Sequence, residues 1–350
     1  MPTGAAPTID AVSGRIYAVA NQKGGVGKTT TALNLAACLA GAGERTLVVD
    51  LDPQANATSG LGERANGTSS YDLLDGAPLG ELARATRFAN LDLVPAKTDL
   101  AGAAVELAGR ESGESFLAES LAGARGRYAF VFIDCPPSLG PLTVNALAAA
   151  DRVLVPIQCE YYALEGLAQL LHSVELVRRR LNPRLVIGGM ILTMADMRTR
   201  LAADVVGEVR RHFGELVFDA VVPRSVRLAE APSHGVPITV YDPRSASAGL
   251  TGEDLRGLVR APDQRAARSA ARTDRPWRTI RLASRRRSSW SGTASTARAC
   301  PSDRSPRSRR PRTSSGSSRS RRRFDTVGLA RPTRSATSPR ESPNSSWSTA

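Results

Sequence analysis

Short apolar runs rich in β-branched residues alternate with longer stretches of helical period from residue 15 to about residue 242. The runs Ile16–Asn21, Thr46–Asp52, Leu91–Ala96, Tyr128–Cys135, Arg152–Gln158, Val186–Thr193 and Leu216–Pro223 predict strands. Helices are expected near 28–42, 97–110, 114–124, 142–150, 162–181 and 199–213. Phe130-Val131-Phe132-Ile133 is apolar without alternation, as in a strand buried on both faces. Strand–helix–strand order at this spacing predicts an α/β fold, a doubly wound, mostly parallel sheet with helices on both faces.

The pattern fades after Asp242. Residues 261–350 carry 20 Ser, 22 Arg and 8 Pro and show no apolar face. Such a segment cannot offset its ordering entropy, which predicts disorder. Charge divides the chain at the same place. The net charge is +14, but the 22 Arg of residues 261–350 face only five acids, a balance of +17 that leaves residues 1–260 at −3. The expected organisation is a flexible N-terminus over 1–14, a folded body over 15–260 and a disordered tail over 261–350. Two readings of the tail stand side by side: a basic arm that adds nucleic-acid affinity, or a shifted-frame reading of a GC-rich gene, which gives the same Arg/Ser/Pro bias.

Four cysteines (Cys38, Cys135, Cys159 and Cys300) lie far apart with no CxxC pair, which argues against a zinc knuckle and fits a reducing cytosol. The first residues lack a basic stretch followed by an apolar run, and no segment reaches the roughly 18 apolar residues of a membrane span. The expectation is a cytoplasmic protein with no membrane partner.

The most informative segment is Asn21-Gln22-Lys23-Gly24-Gly25-Val26-Gly27-Lys28-Thr29-Thr30. It follows an expected buried strand and opens an expected helix, the setting of a phosphate-binding loop. Glycines let the backbone turn its N–H groups inward, and the helix N-terminus adds partial positive charge. Lys28 is placed to reach β/γ-phosphates and Thr29 to ligate Mg²⁺. The loop departs from G-x-x-x-x-G-K-[ST], because Gln22 stands where a glycine is usual and Lys23 adjoins it. Two lysines so close are costly unless they share a strong anion, so Lys23 also reads as a phosphate-reaching group.

Lys23–Thr30 resembles the deviant Walker A motif of the ParA/MinD ATPases. Val48-Val49-Asp50-Leu51-Asp52-Pro53-Gln54-Ala55-Asn56-Ala57-Thr58-Ser59-Gly60 is similar to the ParA/Soj partition branch. So are Asp134-Cys135-Pro136-Pro137-Ser138-Leu139-Gly140, Gln158–Gly166 and Arg227–Gly235. The likeness runs from about Arg15 to Arg244. It implies an ATPase using ATP and Mg²⁺ that pairs into an ATP-dependent homodimer, with Lys23 of each subunit contacting nucleotide in the other. Lys23, Gly24, Gly25, Val26, Gly27, Lys28, Thr29 and Thr30 would hold the phosphates. The family's adenine loop is Pro-Arg-Asn, and Pro223-Arg224-Ser225 stands there instead. A serine hydroxyl cannot offer the two complementary hydrogen bonds of an amide.

Asp50, Asp52 and Asp134 fall at the carboxyl ends of expected strands, where doubly wound sheets bind ligands. Asp134 reads as the acid that holds Mg²⁺ through water. The resemblance implies that Asp52 activates the attacking water, with Asp50 in the Mg²⁺ shell. Capping of a strand–helix turn is the plainer role open to such acids. The resemblance also implies non-specific DNA binding through Arg198 and Arg227, a ParB-like adaptor and association with the nucleoid. Exposed arginines are more often simply solvated. About fifteen residues precede the first strand, too few for a helix-turn-helix module. His172 is expected to pack partly buried, His212 to lie on the surface and His234 to sit in a turn. A MinD-like ATPase at the membrane is the alternative. A reductase resembling the nitrogenase iron protein would need cluster-bridging cysteines, which the local sequences around Cys135 and Cys159 do not resemble.

Overall fold

The computed structural model describes residues 14–110, 112–160 and 163–252. The tail expected over 261–350, residues 253–260 of the expected body and the N-terminal residues before Gly14 lie outside them. Eight strands form one sheet: β1 (Arg15–Val19), β2 (Thr46–Asp50), β3 (Arg84–Ala85), β4 (Leu91–Val94), β5 (Phe130–Asp134), β6 (Arg152–Gln158), β7 (Val186–Ala195) and β8 (Val217–Pro223). Their order is β3-β4-β2-β5-β1-β6-β7-β8. All neighbours are parallel except β3 and β4.

Alternate residues of each central strand enter two different cores, because strand side chains point to opposite faces. Ile16, Ala18, Leu47, Val49, Val131 and Ile133 pack on one side with helices Pro141–Ala149 and Ala163–Arg180. Tyr17, Val19, Val48, Phe130 and Phe132 pack on the other with helix Lys28–Gly41. Tyr17 stacks on Phe132 with ring centroids 5.4 Å apart. Burial on both faces is why these strands read as unbroken apolar runs.

All seven expected strands form, several of them shorter at one end. The two-residue edge strand β3 was not legible, since its antiparallel pairing with β4 leaves no periodic trace. The stretch expected as one helix over 114–124 divides into a helix Phe116–Ser120 and a 3₁₀ turn Ala122–Gly126. Short helices at Asn56–Gly60, Ser70–Leu74, Leu79–Leu82, Val226–Glu230 and Ile238–Tyr241 were also missed, being too short to show a period. His172 is exposed, not packed as expected, and His212 is half-buried with Nδ1 2.8 Å from the Glu208 carbonyl. His234 ends a 3₁₀ turn and stacks on Tyr241, as a turn residue should.

Register places the chemistry. Val19 is opposite Asp134, and Asp134 is opposite Asp50. The carboxyl ends of β1, β5 and β2 are therefore level, and the loop leaving β1 lies beside both acids. β1 also sits where the chain reverses its winding, with β5 on one side and β6 on the other, the position at which open α/β sheets form a ligand crevice.

Candidate nucleotide site

The loop after β1 is held at its root by Asn21, which is buried, donates to the Pro156 carbonyl at 2.6 Å and accepts from the Lys23 N–H at 3.1 Å. Gly25 and Gly27 have φ of 72° and 89°, left-handed values that a side chain disfavours. Gly27 precedes the helix Lys28–Gly41, whose first N–H groups have no capping side chain. Such an end attracts anions.

Lys28 is 6% exposed and its Nζ donates to the Lys23 carbonyl at 3.3 Å. Burial pushes its pKa down, against the pull of Asp134, Cys135 and Asp52. Asp134 is fully buried, and neither carboxylate oxygen has a hydrogen-bond partner. Burial and then repulsion from Asp50 push its pKa well above the usual carboxylate value. Thr29 stands close enough to favour the charged form, though at no geometry that satisfies either oxygen. An orphaned carboxylate of this kind demands a partner. It fits Mg²⁺, which takes one or two protein oxygens and completes its shell with phosphate and water. No group of three metal-ligating side chains occurs among the described residues.

Asp50 behaves differently. Its Oδ2 accepts from the Thr58 N–H at 2.8 Å and from the Thr58 hydroxyl at 2.7 Å, and its Oδ1 accepts from the Asp52 N–H at 3.2 Å. Burial nevertheless pushes its pKa up to about 6. Asp50 thus fixes the turn that carries Asp52 while keeping a second negative charge beside Asp134. Asp52 is 5% exposed and accepts from the Gln54 N–H at 3.0 Å.

Beside the loop is a cavity of about 220 Å³ lined by Gly27, Thr30, Asn34, Met194, Pro223 and Ser225, among others. Its lining is largely apolar, as a nucleoside pocket requires. Ser225 caps the helix Val226–Glu230 by accepting from the Leu228 N–H at 3.2 Å. That bond uses one lone pair, so the hydroxyl proton is still available to a ligand.

Lys23 lies apart from this cluster. Its Nζ is 3.1 Å from Glu160 Oε2, with both side chains half-exposed. Glu160 Oε1 also accepts from Gln158 Nε2 at 2.6 Å and from Arg224 at 3.3 Å. Arg198 and Arg227 rise from the same end of the sheet, the first just beyond β7 and the second on the helix after β8. Arg198 is 90% exposed and forms a two-pronged pair with Asp196 at 2.8 Å. Arg227 is exposed, pairs with Glu230 at 3.7 Å and lies over the Tyr241 ring. The structure therefore gathers Lys28, Thr29, Asp50, Asp52 and Asp134 with the glycine loop, sets Pro223 and Ser225 on the cavity wall, and leaves Lys23, Arg198 and Arg227 at the surface. Sequence reasoning missed Asn21, Thr58 and Thr193 as parts of this site, because their partners are distant in the chain or are backbone groups.

The sporulation initiation inhibitor Soj of Bacillus subtilis is 55% identical over 238 residues, covering 67% of this chain and 94% of that protein. The chain belongs to the Soj/ParA family of chromosome-partitioning ATPases. A family model described as an AAA domain matches residues 14–187. Among solved structures, a cobyrinic acid a,c-diamide synthase from Mycobacterium smegmatis with bound ATP analogue and magnesium is 37% identical, with a TM-score of 0.64 over 73% of this chain and 97% of that one. The septum site-determining protein MinD of Pyrococcus horikoshii, complexed with Mg-ADP, is 25% identical with a TM-score of 0.57, over 72% and 97% of the two chains. The fold is thus the ParA/MinD type of P-loop NTPase. Among the described residues no helix is long and apolar enough to cross a membrane.

Proposed function

We propose that this protein binds ATP with Mg²⁺, pairs with a second copy in doing so, binds DNA non-specifically as that dimer, and hydrolyses the nucleotide in a chromosome- or plasmid-partition cycle with a ParB-like adaptor. The observation that carries the reading is Asp134. A buried carboxylate with two unpartnered oxygens, beside Lys28 and Thr29 at the glycine loop, is relieved by a proton or by a cation, and the loop supplies the anion site that would bring Mg²⁺ to it.

In this reading the loop N–H groups and Lys28 bind the β/γ-phosphates, and Thr29 and Asp134 hold the Mg²⁺. The ion would neutralise phosphate charge and polarise the terminal phosphoryl group. Asp52 orients and deprotonates the attacking water, and Asp50 fixes the Asp52 turn through its own oxygens. Lys23 leaves Glu160 to reach nucleotide in the partner subunit. The base enters the cavity beside Met194 and Ser225.

The body is formally −3, so its DNA binding depends on aligning two Arg198/Arg227 surfaces in a dimer. Such binding is driven by phosphate contacts and falls steeply with salt. Co-sedimentation of the full chain with DNA, with and without Mg-ATP, tests it. ATP should raise the affinity above the level set by the basic tail, and Arg227→Ala should remove that increment while leaving the dimer intact. A protein that dimerises with ATP and gains no DNA affinity at low salt would overturn the partition reading in favour of a MinD-like positioning role.

A further inference from the structure

Three consecutive residues at the end of β7 each reach a different part of the nucleotide site. Thr193 is 4% exposed, and its hydroxyl donates to the Val26 carbonyl, inside the glycine loop, at 2.9 Å. Its own carbonyl accepts from the Cys159 N–H at 3.1 Å. Met194 follows with φ of 52°, the left-handed region, and lines the cavity against Gly27. The Ala195 carbonyl accepts from the Arg224 N–H at 3.1 Å, fixing the loop that forms the opposite wall. The register between β7 and β8 shifts between Leu192 and Ala195. Irregularities of this kind re-aim side chains beside functional sites.

A buried hydroxyl is unexpected on this strand, which otherwise buries Met190, Ile191 and Leu192. Its partner explains it. Val26 and Gly27 share one planar trans peptide, so the Val26 carbonyl and the Gly27 N–H point to opposite sides. Fixing the carbonyl from the β7 side therefore fixes the direction of the Gly27 N–H as well. Gly27 carries no side chain to restrict the rotation of this peptide, so the Thr193 hydroxyl adds to the restraint that the buried Val26 side chain supplies.

We propose that Thr193 is a positioning residue that locks the Val26–Gly27 peptide and so holds the Gly27 N–H in the orientation that receives a nucleotide phosphate. Thr193 touches no reacting atom and acts through the loop.

The experiment compares Thr193→Val, which keeps the shape and removes the hydroxyl, with Thr193→Ser, which keeps the hydroxyl. Mg-ADP and Mg-ATP affinities are measured by titration, together with the rise in thermal midpoint that each nucleotide produces. Thr193→Val should weaken both nucleotides about tenfold, the scale of one lost buried hydrogen bond, and should shrink the nucleotide-induced rise in midpoint. Thr193→Ser should stay within about twofold of the parent. Should the valine variant fail to fold, Thr193→Cys replaces it, since a thiol is a weak donor of similar size. Nucleotide affinity unchanged in the valine or cysteine variant would overturn the proposal. So would an equal loss in the serine variant, which would show that the methyl group matters and the hydroxyl does not.

Discussion

Lys23 Nζ and Glu160 Oε2 lie 3.1 Å apart, joining the glycine loop to the end of β6 across 137 residues of chain. A lysine that serves the partner's nucleotide must first leave this contact. Half-exposed ion pairs contribute at most about 1 kcal/mol, so the pair restrains Lys23 without locking it. Lys23→Gln should bind Mg-ATP yet sediment as a monomer. Glu160→Gln should strengthen ATP-dependent pairing by no more than about fivefold. A normal ATP dimer of Lys23→Gln would show that the lysine does not cross between subunits.

Lys28 is the buried positive charge at the loop, and removing it takes away the main attraction for phosphate. Lys28→Ala should lose about 100-fold or more in Mg-ATP affinity, on the scale of a charged hydrogen-bonded pair in a desolvated site. Its fold should persist, because among the described residues the Lys28 side chain makes a single hydrogen bond, at 3.3 Å to the Lys23 carbonyl. Circular dichroism and nucleotide titration together check both halves of this expectation.

The Asp52 N–H donates to Asp50 Oδ1, the Asp52 carboxylate accepts from the Gln54 N–H, and among the described residues it makes no hydrogen bond to the glycine loop. Asp52→Ala should therefore bind Mg-ATP within a few-fold of the parent, lose turnover by roughly 100-fold or more as expected for a missing general base, and accumulate as an ATP dimer on DNA. Turnover at the parental rate would transfer the role to another carboxylate.

Thr58 donates both its N–H and its hydroxyl to Asp50, and its hydroxyl oxygen accepts from the Ala96 N–H at 2.9 Å. Thr58→Val removes the hydroxyl from a buried network. The variant should be destabilised by about 1–3 kcal/mol, read as a lower midpoint of denaturant unfolding, with the Asp50 pKa moving further up.

The acids also set a pH dependence. The Asp50 carboxyl titrates near 6 in the folded chain against an ordinary value of 3.8, because burial disfavours its charge. Asp134 is raised in the same direction. Between those values the folded chain holds more protons than the unfolded one, so stability without nucleotide should fall as pH rises from about 4 to 6, and further as Asp134 ionises. Asp134→Asn removes one of the two charges and should flatten that decline. Thermal midpoints over this range, compared between parent and variant, measure it. Mg²⁺ with nucleotide favours the ionised acids, so its binding should release protons near pH 6, seen as a heat that varies with the buffer's ionisation enthalpy.

The glycine loop, the acids at strand ends and the seven long strands were legible in the sequence, because each is written in neighbouring residues. A loop–helix junction needs Gly25, Gly27 and Lys28 within a few positions, and a strand buried on both faces needs an unbroken apolar run such as Phe130–Ile133. Ser225 shows where local reading stops: its place in the adenine loop could be read, but its helix-capping bond to the Leu228 N–H could not. Strand order and register lay further out of reach. That Asp134 stands opposite Asp50, that Thr193 holds the Val26 carbonyl and that Lys23 rests on Glu160 follow from the pairing of β2 with β5, of β1 with β5 and β6, and of β6 with β7. Such contacts join residues more than a hundred positions apart, or neighbouring strands that the chain visits out of order. Residue type and spacing decide which groups a segment can offer, while sheet packing decides which of those groups meet, since only the closed hydrophobic layers fix one strand against another.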